Sequence, residues 1–362
     1  MKKRMTLKDV AKLANVSTAT ASMILNRKQN VSFASDTMAK VLLAAKVLNY
    51  RQPFQPEQDV AAKRENVIAV FMPSATGNYY TAISYAINCA AEKASFDTIL
   101  FEAYRDRERE LRGLTFISNQ PIAGCIFTYI PYHQDLVEEI SKRLPVVIIG
   151  NQVSQAKVDM IETDSYRAGM LMAQHLIDLG HRHVAFLATD RSWPGYPSSQ
   201  RIQGVRDTFQ QASGTRLTER IEPIGSSLQL DSKAYSVKLG AQMALSCLDD
   251  LSITGFIAVN DYIAYGVLDA LANRGFRVPQ DYSVCGCDDI FPSSLSQVSL
   301  TSVNHHLQEK GESAFHLLHR RIKSRQVMAA DNEPTEQITR MEYLSTLIVR
   351  GTTARPPAGR HT

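Results

Sequence analysis

From Val67 to Asp289 the chain alternates short apolar runs with amphipathic helical patterns, and that alternation leaves few folds open. The runs VIAVFM, TILFEAY, GCIFTYI, VVIIG, HVAFLAT, GFIAVND and YSVCGCDD are separated by helix-like segments such as YTAISYAINCAAEKA, SYRAGMLMAQHLIDLG and YIAYGVLDALANRG. Apolar strands, each followed by a helix, imply parallel sheets covered on both faces. A chain of 362 residues is too long for one core, so two such sheets are expected, with a ligand cleft between two α/β lobes.

The first 50 residues follow a different period. Thr6 reads as an N-cap with Asp9 three residues on, and Leu7, Val10, Ala11 and Ala14 share one helical face. Asn15 suits the left-handed corner of a very short turn, Ser17 caps a second helix, and a third, over about Ser35 to Leu48, buries Val41, Ala44, Ala45 and Leu48. Two helices joined by a tight turn and braced by a third make a helix-turn-helix head. Residues 51–66 are polar and broken by Pro53 and Pro56, a linker with room for a short helix over Glu57 to Lys63.

Charge separates these parts. Residues 1–64 hold twelve Lys or Arg against four acids, a net of +8, and the total of +4 leaves −4 for the remainder. A basic head on a mildly acidic body favours a polyanion for the head. No apolar run reaches the roughly 20 residues that span a bilayer. The basic start MKKRMTLKDV leads into polar sequence where a signal peptide would be apolar, so a cytoplasmic chain is expected. Five cysteines, Cys89, Cys125, Cys247, Cys285 and Cys287, lie in apolar stretches and read as reduced buried thiols. Cys285 and Cys287 share a strand face and so offer two thiolates to a metal, but no second cysteine pair or adjacent His supports that, and neither metal nor cofactor is expected.

Three groups of motifs in order carry a resemblance: TLKDVAKLANVSTATASMILN at the start, AGMLMAQHLIDLGHRHVAFL in the middle, and IAVNDYIAYGVLDALANRGFRVPQDYSVCGCDD with LTSVN and LIVRGTTA late. The chain resembles the lactose/galactose repressor (LacI/GalR) family over nearly its whole length. The resemblance implies a homodimeric transcription regulator whose head reads double-stranded operator DNA and whose hinge helix enters the minor groove. It also implies a periplasmic-binding-protein-like body that senses a small effector, often a sugar or nucleobase.

On the second helix Thr18, Ala19, Ser22, Met23 and Asn26 form one arc and Ala21 and Ile24 lie opposite. Short side chains let this helix approach base edges: Thr18 bonds a base, Ala19 and Met23 touch thymine methyls, and Ser22 and Asn26 reach phosphates. Arg27 and Lys28 supply the charge the helix lacks. With Thr6, Ser17 and Thr20 from the helix starts, and Val60 and Lys63 from the hinge, these form the expected DNA-binding set. Relatives commonly carry Arg at the Met23 position, so a bidentate guanine contact is missing here. The stretch from Val31 to Tyr50 is about two residues longer than the common form, which leaves the placement of Ser32 and Ser35 open. Val60 stands where relatives place a wedging Leu, between Glu57, Asp59 and the phosphates those acids repel. A weaker hinge contact, or a linker that never inserts, are the alternatives.

In the body, Ser74, Asn78, Tyr79 and Tyr80 of PSATGNYYTAIS match the family's first binding loop; Arg201, Asn260 and Asp288 match its ligand-binding Arg, Asn and Asp. Such groups suit a polyhydroxylated ligand, each bonding adjacent hydroxyls in pairs, with tyrosines stacking on a ring. Arg201 and Asp288 also fit a salt bridge closing the lobes, and Asn260 fits a helix cap. Trp193 is either a sugar platform or a packing residue, and Phe291 is a lid aromatic. Asp288 and Asp289, on successive strand positions, face opposite ways and form no acid/base pair.

A solute-binding protein would share the body but has no use for a basic head. An enzyme is not expected and no residue is assigned as catalytic: there is no Gly-rich phosphate loop, no nucleophile elbow and no metal-spaced His set beyond the isolated pairs His181/His183 and His316/His319. The expected division is a head at 1–50, linker and hinge at 51–65, and a body at 66–350. Within the body one subdomain spans about 66–163 and 293–325 and the other about 164–292 and 326–350, followed by a basic tail at 351–362. That tail lacks the leucine heptads of a tetramer, so a homodimer is expected.

Overall fold

The structure, a computed structural model, describes residues 6–25, 33–48, 50, 66–151, 157–190, 197–223, 233–328 and 337–358. The chain separates into two units, residues 1–63 and 64–362.

The head contains α1 (Leu7–Leu13), α2 (Thr18–Leu25) and α3 (Ser35–Val47). Asp9 accepts hydrogen bonds from the backbone N–H and the hydroxyl of Thr6, at 2.8 and 2.7 Å, which fixes the start of α1. Asn15 takes a positive φ of 53° at the corner before α2, a conformation Asn tolerates because its short polar side chain bonds locally. The core is small and alanine-rich: Val10, Ala11, Ala14, Ala21, Ile24, Val41 and Ala44, with Ala45 and Leu48 half-buried against it.

The body holds two six-stranded sheets. The first contains β1 (Val67–Met72), β2 (Asp97–Glu102), β3 (Gly124–Phe127), β4 (Val146–Asn151), β5 (Asp159–Thr163) and β11 (Arg340–Tyr343), in the order β11-β5-β4-β3-β1-β2 and parallel throughout. Alternate residues of β1 feed opposite faces: Ile68 and Val70 enter one apolar cluster, Ala69 and Phe71 the other. Helices α4 (Asn78–Lys93), α5 (Arg107–Ser118) and α6 (Gln134–Ser141) cover this sheet together with α11 (Leu307–Met328). The second sheet contains β6 (His183–Asp190), β7 (Arg216–Pro223), β8 (Gly255–Ala258), β9 (Ser283–Asp288), β10 (Thr301–Asn304) and β12 (Thr346–Ile348). Its order is β12-β10-β9-β8-β6-β7, and only the β10–β12 pair is antiparallel. Its helices include α7 (Ser165–Asp178), α8 (Pro197–Gln211), α9 (Lys233–Leu245) and α10 (Asp261–Asn273).

Three expectations need correction. The strand in TILFEAY is not covered on both faces: it is an edge strand with Ile99 41% and Leu100 51% exposed. The subdomain boundaries at 292/293 and 325/326 also move. β10 pairs with β9, from Thr301↔Cys285 to Asn304↔Asp288, and so belongs to the second lobe, while β11 pairs with β5 in the first. The chain therefore crosses between lobes at residues 164, 305–306 and 344–345. Strands this short and polar are assigned by their ladder partners, which the sequence does not display. Finally, residues 351–354 are no free tail: Thr352 is buried, its carbonyl accepts from Val284 N at 2.8 Å, and Ala354 N donates to Ser283 Oγ at 3.0 Å. The Glu57–Lys63 helix lies outside the described residues. Among the described residues no helix is long and apolar enough to cross a membrane.

Candidate DNA-reading face and effector cleft

On the head, Ser17 Oγ accepts from Thr20 N at 3.0 Å and shares a 2.8 Å hydrogen bond with the Thr20 hydroxyl. That cap fixes the start of α2 and engages both hydroxyls in the helix itself. Ala21 and Ile24 are buried, as the period requires; Thr18 and Ala19 are exposed, and Ser22 and Met23 are half-buried. No charged residue occurs in α2. Asn26, Arg27, Lys28, Val60 and Lys63 lie outside the described residues.

In the body the expected cleft residues separate into three groups. Ser74, buried in the turn after β1, accepts from Thr76 N at 3.1 Å and is a turn former. Asn78 opens α4 and contacts the opposite lobe: its N–H donates to the Tyr262 hydroxyl at 3.3 Å, and its Oδ1 accepts from Lys233 Nζ at 3.0 Å. Asn260 is the N-cap of α10, accepting from Ile263 N at 2.9 Å, so the capping alternative holds. Phe291 is 74% exposed on a short 3-10 turn, and Trp193 lies outside the described residues.

The third group converges. Tyr79 and Tyr80 meet edge to face at 5.0 Å, and Arg201, buried on α8, donates through Nη1 to the Val259 carbonyl. Its Nη2 is 3.9 Å from Asp288 Oδ1. Both residues belong to the second lobe, which overturns the alternative of a bridge closing the two lobes; α8 and β9 lie in one sheet-and-helix layer, so the pair forms within it. Burial pushes the Asp288 carboxyl up to about 8, against the pull of Arg201. Asp288 and Asp289 both have positive φ, 119° and 47°, backbone strain of the kind that gathers at ligand sites. The Asp289 side chain has other partners: it pairs with Arg350 at 2.6 Å and accepts from Asn304 at 2.8 Å.

Sequence reasoning missed five members of this region. Arg105, after β2, donates to the Tyr80 hydroxyl at 2.6 Å, and Tyr132 holds its carbonyl at 2.9 Å. Tyr104 and Arg105 have φ of 49° and 52°; the only sequence signal was an Arg beside Tyr after a strand. Lys233 and Tyr262 join the lobes at Asn78. His305 lies 3.2 Å from Cys287 Sγ, eighteen residues distant in sequence, which supplies the neighbour absent from the linear reading of the cysteines. Cys287, Asp288 and His305 have a metal-like donor set within 4.8 Å. Arg201 Nη2, 3.4 Å from the His305 imidazole, already supplies a cation there and would repel a second.

A basic helix-turn-helix head joined to a two-lobed, ligand-cleft body defines a DNA-binding regulator of the kind that responds to a small molecule. Residues 6–52 match the family described as bacterial regulatory proteins, lacI family, and residues 173–353 match a periplasmic binding protein-like domain. The chain belongs to the lacI family and is a DNA-binding transcriptional repressor with an effector-binding domain, in a family that is not enzymatic. It is 29% identical to the HTH-type transcriptional regulator DegA of Bacillus subtilis over 313 residues, 84% of this chain and 88% of that one. It is 28% identical to the ribose operon repressor of Escherichia coli over 352 residues, 96% and 99% of the two chains. Its fold is similar to that of the lac repressor dimer bound to operator and the anti-inducer ONPF, with a TM-score of 0.65 at 24% identity, covering 97% of this chain and all of that one.

Proposed function

We propose that this repressor works in the cytoplasm as a homodimer on a near-palindromic operator, and that a sugar-like effector bound around Tyr79, Tyr80, Arg201 and Asp288 changes its operator affinity. The observation that carries the reading is the convergence of the buried Arg201 guanidinium and the half-buried Asp288 carboxyl, 3.9 Å apart, beside Tyr79, whose ring in turn meets Tyr80 edge to face. Vicinal hydroxyls can accept from the first and donate to the second while a ring face covers the sugar's apolar side. The relative named for the ribose operon favours a pentose-sized ligand. Thr18, Ala19 and Met23 read base edges and Ser22, Asn26, Arg27 and Lys28 hold phosphates, with Val60 and Lys63 contacting the minor groove. The half-exposed apolar edge at Ile99 and Leu100, with Tyr85 72% exposed on α4, supports self-association through the first lobe.

A mobility-shift assay with DNA flanking the chain's own gene, at two salt concentrations, tests the reading. Sequence-specific retention that weakens with salt is expected, and absence of specific binding both with and without candidate sugars rejects it. Arg201→Ala should keep operator binding and lose the sugar response; an unchanged response rejects the cleft assignment.

A further inference from the structure

His305 occupies the crossover between β10 and α11, wholly buried, and its two ring nitrogens face different parts of the body. Nδ1 lies 2.9 Å from Ser345 Oγ, in the crossover between β11 and β12. Nε2 lies 3.2 Å from Cys287 Sγ, 3.4 Å from Arg201 Nη2 and 3.8 Å from Asp288 Oδ1. Tyr79, from the first lobe, meets the ring edge-on at 6.1 Å.

The donors settle the ring's protonation. A guanidinium only donates, and burial keeps the Cys287 thiol protonated, so Nε2 is the acceptor. Burial and the Arg201 charge hold the imidazole neutral, which leaves its single proton on Nδ1, donated to Ser345. One ring thus steadies Arg201 on one side and joins two of the three crossovers on the other. The third is anchored nearby, where Lys310 Nζ of α11 donates to Thr163 Oγ1 at 2.9 Å.

We propose that His305 is a positioning residue that orients Arg201 and Asp288 for the effector and carries the state of that pair to the Ser345 crossover. The proposal rests on the reading that Arg201 and Asp288 bind the effector. A ligand oxygen that draws Arg201 Nη2 towards itself lengthens an already long 3.4 Å contact with Nε2 and weakens that donor. The ring then resettles, and its Nδ1 bond to the inter-lobe connection changes with it. Coupling through a shared ring is reciprocal, so a change at Ser345 must also be felt at Arg201.

The test uses the full chain and needs no effector. Amide hydrogen exchange at residues 305–307 and 345–348 is measured for Arg201→Ala in the wild-type and His305→Gln backgrounds. Arg201→Ala should speed exchange at 345–348 about tenfold in the first background and about twofold or less in the second. Equal acceleration in both overturns the proposal, because a merely structural His would loosen the region independently of Arg201. Should His305→Gln fail to fold, Ser345→Ala supplies the reciprocal arm. Its loss of the Nδ1 acceptor should move the His305 Nε2 resonance in a 15N imidazole spectrum, and an unmoved resonance overturns the coupling. The effector reading fails separately: if D-ribose, D-xylulose and cellobiose stabilise wild-type and Arg201→Ala chains equally, that reading is rejected whatever the exchange shows.

Discussion

Arg201 owes its position to two glycines that let α7 and α8 touch backbone to backbone. A Cβ at Gly169 would lie 2.1 Å from the Arg201 carbonyl oxygen, and one at Gly204 would lie 2.1 Å from the Tyr166 carbonyl oxygen. Real Cβ contacts essentially never fall below 3.0 Å, so Gly169→Ala must separate the helices by about 0.9 Å at the turn that carries Arg201. Overpacking costs about 1–3 kcal/mol and falls at the upper end here because the clash is with backbone; the helix preference of Ala over Gly returns about 1 kcal/mol, which leaves a loss of about 2 kcal/mol. The net loss should lower the melting temperature by roughly 2–4 °C per kcal/mol in a domain of this size. Gly204→Ala should do the same. Because either substitution opens the same gap, the double variant should lose less than the two singles together, with a coupling of about 0.5–3 kcal/mol. Gly255→Ala is the control, since its nearest neighbours would stand at an ordinary 3.5 Å. Thermal unfolding followed by circular dichroism reads all four variants. A Gly169→Ala chain as stable as wild type, or strictly additive losses, would refute the close-contact argument.

Three other outcomes follow from particular residues. Ser17→Ala removes the cap on Thr20 N and should destabilise the head by about 1 kcal/mol, seen as weaker operator retention with no change in body unfolding; unchanged retention contradicts it. Met23→Arg should restore a bidentate guanine contact and shift preference among operator variants by about 1–3 kcal/mol at one base pair, measured by competition binding; an unaltered preference removes Met23 from the reading face. Asp288 is protonated in the fold up to about pH 8, against 3.8 for a free Asp. Over that window the native state holds a proton the unfolded chain has released, so this group's contribution is most favourable below the lower value and falls as pH rises towards the upper one. Arg201, His305, Tyr79, Cys287, Tyr262, Tyr265 and Asp261 are among the charged and titratable groups around it. Asp288→Asn should flatten the melting-temperature profile between those pH values, and an identical slope in both chains refutes the assignment.

The fold was legible where periodicity is strong. The apolar runs that became β1, β3, β4, β6, β8 and β9 carry their burial in their composition, and Thr6, Asn15 and Ser17 marked helix starts and a corner through side chains that bond locally. The polar or edge strands β5, β7, β10, β11 and β12 were missed because their place depends on a ladder partner far along the chain. For the same reason the site was half legible: Arg201 and Asp288 were recognisable types at recognisable places, while Asn78 reached across to Tyr262 and Lys233, and Asn260 closed a helix.

The sequence by itself determined the helical head and the two parallel-sheet lobes, because caps, turn residues and hydrophobic period act over a few residues; the family was legible only through the resemblance of its motifs. Only the tertiary structure decided which lobe β10 and β11 join, that Arg201 and Asp288 share one lobe, and that His305 stands between that pair and Ser345. Those relations link residues as far apart as Arg201 and His305, and contacts at such separations are fixed by how the sheets stack and where the chain crosses between them.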